Sequence, residues 1–448
     1  MLFAMGLLNI GNYGFTVLVA RILPPAEFST YAALYGAVML LAVPANVLRL
    51  AIVRLRTETA ERSDETGIAA ELMALRRNLL VLVLVGGTIL LFLVTLPLLA
   101  VTRGANLSSF LLAGFAGIIT FTLYLDRGFL QGGLRFSWVA VTVVAEVVAR
   151  LGFLLVLASA LHTGLAGTMG ALLLGALTAN AVSARMVARA RGASASGGRC
   201  AAPSASLRAG PMAIGADSGL APRGQRPALS LSKVSPARAL LGYSSIMMAV
   251  YSGHTALHWL DLLAVQLLFP GEVAGQYAAL SFAGRVILYA SLGVTETLFT
   301  FANKAHCRQE AGEPLLARAL LLTAAVSAPI LLLYIAAPEP ILKYVFGSSY
   351  VGLASSLWLL GLFMFLLSLA GVLIAYMLAS GMARGALAAA IATVALELTL
   401  LLAFHDSVQT VVVSLCATAA FYLTVLSALI ARNSLRARMT ATLEAVPE

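Results

Sequence analysis

The stretch "NLLVLVLVGGTILLFLV", residues 78–94, runs seventeen residues without a charge. A strand of an outer-membrane barrel alternates apolar and polar residues over about ten positions, and this run is too long and too uniformly apolar for that. A helix satisfies its backbone polar groups internally, as hydrocarbon demands, and about 20 apolar residues cross the membrane core. The run therefore reads as a spanning helix over 78–101. Outward from it, apolar runs broken by charge or by Pro/Gly clusters predict eleven more spans: 2–23, 31–52, 107–129, 137–160, 164–186, 241–268, 278–301, 317–337, 353–379, 385–404 and 408–431. The expected fold class is all-α, a polytopic membrane protein of about twelve transmembrane helices. Composition agrees. Of 448 residues, 60% are hydrophobic and 11% charged, against about 45–50% and about 25% in soluble domains. That excludes a soluble globular protein, a disordered chain and a nucleic-acid-binding domain.

The net charge of +10 reports topology rather than a polyanionic partner. With the N-terminus in the cytoplasm, the even-numbered loops and the C-terminus carry six, two, nine, three, one and three basic residues. The opposite side carries Arg21, Arg103 and Lys343, and Arg150 and Arg285 fall inside spans. Cytoplasmic loops collect Lys and Arg, so both termini are expected inside, in a cell inner membrane. No basic region precedes Leu2, so nothing at the start reads as a cleavable signal. Cys200, Cys307 and Cys416 are far apart and lack metal-type spacing; they read as reduced thiols.

Residues 188–240 are rich in Ala, Ser, Gly, Pro and Arg and show no apolar period. They read as a flexible basic linker between an N-terminal six-helix lobe, 1–187, and a C-terminal one, 241–431, with a cytoplasmic tail over 432–448. The halves echo one another. "LPPAEFSTYAAL" (23–34) follows span one and "LFPGEVAGQYAAL" (268–280) follows span seven, so that Pro25 matches Pro270, Glu27 matches Glu272 and Tyr31 matches Tyr277. "TVVAE" (142–146) in span five resembles "TVALE" (393–397) in span eleven. Two pseudo-symmetric six-helix lobes point to a transporter with its site between them near the midplane.

Four motifs carry a family resemblance. "ARILPPAEFSTYAAL" resembles the first loop of polysaccharide flippases. "RGFLQGGLRFSWVAVTVVAEVVARLGFLL" (127–155) resembles their span-four-to-five segment, with Arg127, Gly128, Gln131, Gly132, Arg135 and Phe136 in place. "WLDLLAVQLLFPGEVAGQYAAL" and "PILKYVFGSSYVGLASSLWLLGL" resemble their span-seven segment and the loop before span ten. In that order, over most of the chain from Ala20 to about Ile430, they resemble the superfamily of oligosaccharidyl-lipid flippases and multidrug extruders. Pro24 and Ser29 stand where that family prefers Gly, the chain starts inside span one without the usual polar lead, and the linker is long for the family. The resemblance implies alternating access that moves a polyprenyl-pyrophosphate-linked oligosaccharide from the cytoplasmic to the outer face, for surface polysaccharides such as O-antigen. It further implies contact with membrane lipids and with glycosyltransferases or a polymerase of the same pathway. The alternatives are a cation-coupled multidrug extruder of the same superfamily, and a membrane polymerase or glycosyltransferase acting on lipid-linked sugars.

Charges inside a bilayer are costly and tend to face an internal cavity. Arginine offers a permanent, bidentate phosphate partner, which makes Arg21, Arg150 and Arg285 the candidate substrate residues. Asn9, Asn12 and Tyr13 of span one are candidates for sugar hydroxyls, the alternative being packing between helices. Glu146, Asp261, Glu296 and Glu397 are candidate ion-coupling carboxylates. Glu146 and Arg150, at i and i+4, can pair on one face; His254 and His258 are the nearest sequence neighbours offered to Asp261. Arg127 and Arg135 read as cytoplasmic-surface residues. Pro44, Pro97 and Pro329 are plausible bend sites. His254 and His258 lack a third ligand, and no H-E-x-x-H, G-x-S-x-G or P-loop occurs, so the expectation is a non-enzyme with no metal and no cofactor.

Overall fold

A computed structural model describes residues 2–60, 74, 76–89, 91, 106–132, 135–196, 236–307 and 313–444. The described residues are helical, with no strand. In the first lobe, α1 spans Leu2–Ile22, α2 Pro25–Ala60, α3 residues 76–89, α4 Leu107–Gly132, α5 Phe136–Leu154 and α6 Gly164–Ser196, with a π-helical segment, Leu155–Ala160, after α5. In the second, α7 covers Pro236–Leu257, α8 Leu260–Leu268, α9 Gly271–Cys307, α10 Glu313–Ala336, α11 Pro338–Val345, α12 Leu357–Ala379, α13 Ala383–Ala403 and α14 Val408–Glu444. A 3₁₀ segment, Ser348–Ser356, joins α11 to α12. Nine helical segments among the described residues are long and apolar enough to cross a membrane. By length and composition these helices are those of a multi-pass membrane protein.

Two predicted elements differ in form. Span seven is broken. α7 stops at Leu257, and Trp259 sits at φ −128 and ψ −22 before α8 begins. Such a break inside a membrane requires a partner for the freed carbonyl, and the Arg285 guanidinium donates to that of His258. The basic stretch read as a linker from 188 to 240 is helical at both ends, through Ser196 and again from Pro236; residues 197–235 lie outside the described ones. The tail beyond 431 continues α14 as helix to Glu444. Pro44 and Pro329 lie inside α2 and α10, and Pro97 is outside the described residues.

The lobes meet along α2, which packs on α7, α8 and α9. An aromatic seam fills the contact. Phe28 and Tyr31 of α2 lie 5.9 and 6.3 Å from Phe282 of α9, and Tyr35 lies 5.7 Å from Trp259. The repeated motifs supply this seam. Pro25 and Pro270 stand where α2 and α9 begin, a position proline suits because its ring presets φ and its missing N–H would go unpaired there. The two helix starts then lie against each other. A Cβ on Gly275 would overlap the Pro25 carbonyl, so the approach depends on the absent side chain. Tyr31 and Tyr277 are both fully buried. Each reaches back to the preceding span, Tyr31 to the Thr16 hydroxyl at 3.2 Å and Tyr277 to the Asp261 carboxylate at 2.8 Å.

Candidate functional site: buried charges on either side of the lobe seam

In the first lobe, one carboxylate serves two guanidiniums. Glu146 and Arg150 are one turn apart on α5 and form an ion pair. Glu146 Oε2 also accepts from Arg127 Nη2 at 2.8 Å, and Arg127 Nε donates to Thr142 Oγ1 at 3.1 Å. The other arm of Arg150 donates to Asn12 Oδ1 of α1, while its Nε is buried with no hydrogen-bond partner. All three charged side chains are 4–5% exposed. Two positive groups around one negative group leave a surplus of one positive charge. Local sequence explains the placement. A Cβ on Gly175 of α6 would stand 3.0 Å from Arg150 Cα, so that glycine lets α6 close on α5 at this turn. Arg150 also lies 5.7 Å from the Phe15 ring of α1.

In the second lobe, one carboxylate meets one guanidinium. Arg285 Nη2 lies 3.3 Å from Asp261 Oδ1, and Asp261 Oδ2 accepts from Tyr277 and Ser281, each at 2.8 Å. The Arg285 guanidinium stacks over Trp259 at 4.1 Å, the residue at the break in span seven. Both members of the pair are 0% exposed. Glu397 of α13 is different: it is buried, and neither carboxylate oxygen has a partner. The echo between Glu146 and Glu397 thus joins a doubly paired carboxylate to an unpaired one. His254 and His258 pack edge to face at 5.3 Å, with His254 6.2 Å from the Tyr422 ring.

Arg21 belongs to neither cluster. It is exposed, and it donates through Nε to the Val345 carbonyl at 3.0 Å and through Nη2 to that of Tyr344, at the C-terminal end of α11. In the reverse direction, the Tyr350 hydroxyl of the 3₁₀ segment contacts the carbonyls of Ala20 and Leu23, at 2.9 and 3.0 Å. The two lobes are therefore stitched at the end where α1 turns into α2. Tyr13 meets Phe346 edge-on at 6.4 Å, and Asn9 is half-buried on α1. The Glu296 side chain lies outside those described.

Two expectations need correction. Arg127 is a buried partner of Glu146, not a cytoplasmic-surface residue, because α5 brings its carboxylate alongside the last turns of α4. The partners of Asp261 are Tyr277, Ser281 and Arg285 rather than the histidines, because α9 packs its first turns on α8. Sequence spacing also missed two links at the other end of the first lobe. Arg76 pairs with Asp126 at 2.5 Å, and Arg49 donates to Gln131 at 2.6 Å. Gln131 belongs to the span-four motif quoted above, which was the available signal. Arg135, from the same motif, lies 4.7 Å from the Trp138 ring. No group of three or more His, Cys, Asp or Glu among the described residues could hold a metal.

No protein-family model matches this chain, and no curated protein matches it. Solved structures do. An inward-facing multidrug resistance MATE family transporter of the MOP superfamily superposes with a TM-score of 0.69 at 13% identity, over 98% of this chain and 96% of that one. The lipid II flippase MurJ, in an inward closed conformation, gives 0.68 at 12% identity, over 100% and 93%. A mutant of the Vibrio cholerae MATE transporter VcmN gives 0.60 at 14% identity, over 97% and 94%. The chain has the fold of these transporters. Within that fold, the doubly paired Glu146 lies in the first lobe, the Asp261–Arg285 pair and Glu397 lie in the second, and the Arg21 and Tyr350 contacts join the two at one end.

Proposed function

We propose that this protein is a flippase for polyprenyl-pyrophosphate-linked oligosaccharide, carrying it from the cytoplasmic to the outer leaflet of the inner membrane by alternating access. The observation that carries this reading is the surplus buried guanidinium of the Arg127–Glu146–Arg150 cluster. A pyrophosphate cannot cross hydrocarbon bare. A cluster that already holds one more positive than negative group can exchange part of the Glu146 contact for phosphate without creating an unpaired charge. Arg150 is the foremost substrate residue in this reading, with Asn12 positioning it; Arg285, Arg21, Asn9 and Tyr13 are secondary candidates. The stitched α1–α2 end is the gate that parts when the lobes rock, and both termini lie in the cytoplasm. The substrate would come from glycosyltransferases and pass to a polymerase or ligase of the same pathway.

A cation-coupled multidrug extruder is the second reading. The unpartnered Glu397 favours it, since a lone buried carboxylate can hold a cation or a proton, with Glu146, Asp261 and Glu296 as further candidates. One experiment separates the two. A strain lacking the protein should accumulate lipid-linked oligosaccharide on the cytoplasmic face, the wild-type chain should clear it, and Arg150→Ala should express normally without clearing it. An unchanged lipid pool accompanied by drug hypersensitivity would replace the flippase reading with the extruder.

A further inference from the structure

A cavity of about 620 Å³ opens at the end of the second lobe opposite the stitched seam, where α12 turns into α13 beside α14 and the start of α7. Its volume is in the range of small-ligand sites. Gly381, at φ +76, makes the turn, a left-handed conformation that side chains disfavour. Arg384 from the first turn of α13 and Arg432 from α14 both line the cavity, with Asn433 beside them. Among the described residues no Asp or Glu lines it. The remaining wall includes Ile246, Met377 and Leu429, each from a different helix. The cavity is amphipathic: two cations and an amide at the mouth, hydrocarbon behind.

Two guanidiniums lining one cavity favour an anion that can contact both. Their planar donor sets match phosphate oxygens in pairs. The first-turn N–H groups of α13 add a smaller attraction of the same sign. The Lys/Arg distribution puts both arginines, which are exposed at the ends of apolar helices, on the basic side of the membrane, the side that carries anionic headgroups. We propose that this cavity binds an anionic phosphate group, with Arg384 and Arg432 as its charged partners and the Ile246–Met377–Leu429 wall taking the start of an attached chain. The phosphate belongs either to an anionic lipid headgroup or to a soluble phosphate compound. The site is separate from the Arg150 cluster and does not depend on the flippase reading.

The test uses the full chain, with lipid retention read by native mass spectrometry and pyrophosphate binding by calorimetry. The probes are phosphatidylglycerol, phosphatidylcholine and inorganic pyrophosphate. A lipid source predicts retention of phosphatidylglycerol over phosphatidylcholine by about 25-fold, roughly fivefold for each guanidinium near the surface. Arg384→Gln and Arg432→Gln should each lose about a fivefold share, and the double variant all of it. A soluble source predicts pyrophosphate binding that the double variant loses, without lipid preference. Lys343→Gln, an exposed basic residue of α11 that lines neither this cavity nor the Arg150 cluster, is the control and must leave either preference intact. Both arginines are exposed, so neither substitution disturbs the packed bundle, and an unchanged melting temperature checks that. Neither probe bound above phosphatidylcholine, or a preference that survives in Arg384→Gln/Arg432→Gln, overturns the proposal.

Discussion

Charge arithmetic in the first lobe predicts an order of stabilities that residue size or exposure would not. Glu146 faces Arg127 at 2.8 Å and Arg150 on its other oxygen, all three buried. At an effective dielectric near 20, one such opposite charge at 4 Å contributes roughly 4 kcal/mol before desolvation is counted. Glu146→Gln removes the shared counter-charge and strands two cations, so it should cost about 3–5 kcal/mol. Arg127→Gln leaves Glu146 balanced by Arg150 and loses mainly the bonds to Glu146 and Thr142, about 1 kcal/mol each. The decisive measurement is the cycle. In a Glu146→Gln background, Arg127→Gln removes a surplus buried cation and should recover about 2 kcal/mol, reversing its sign. Denaturant titration of detergent-purified protein, followed by tryptophan fluorescence, reads the wild type and the three variants, and the coupling follows from the non-additivity. If Arg127→Gln still destabilises in that background, or if Glu146→Gln is milder than Arg127→Gln, the surplus-charge account of this cluster is wrong.

Three further outcomes are expected. Gly275→Ala forces a methyl group against the Pro25 carbonyl and should part the seam, lengthening spin-label distances across the α1–α2 end; unchanged distances would mean this contact does not hold the lobes. Tyr350→Phe removes a hydroxyl that reaches the Ala20 and Leu23 carbonyls at 2.9 and 3.0 Å. A shift of about 1 kcal/mol toward the open seam should raise thiol labelling of a cysteine at position 20 about fivefold, and equal labelling would discount the contact. Glu397→Gln should abolish the dependence of transport in proteoliposomes on an imposed cation or proton gradient, whereas a variant with the same gradient response would remove Glu397 from coupling.

Much of the fold was legible because hydrocarbon is an unforgiving solvent. Runs such as 357–379 leave the chain no choice but helix, and the Pro25/Pro270 and Tyr31/Tyr277 echo marked the two helix starts that meet at the seam. The i, i+4 pair of Glu146 and Arg150 was legible for the same local reason, since one helical turn fixes it. The break after Leu257 was not, because it is stabilised by Arg285, twenty-seven residues beyond the His258 carbonyl that it caps.

The sequence by itself determined the apolar solvent and the helices, since both depend on single segments and on the transfer cost of their side chains. Only the tertiary structure decided which of the candidate charges are neutralised. Arg127 joins Glu146 across two helices, Asp261 takes Arg285, Glu397 takes no one among the described residues, and the exposed Arg21 holds the end of α11. Pairing between helices depends on which faces pack and how closely. That is set here by small residues such as Gly175 and Gly275 meeting backbone from another helix, a contact no single segment encodes.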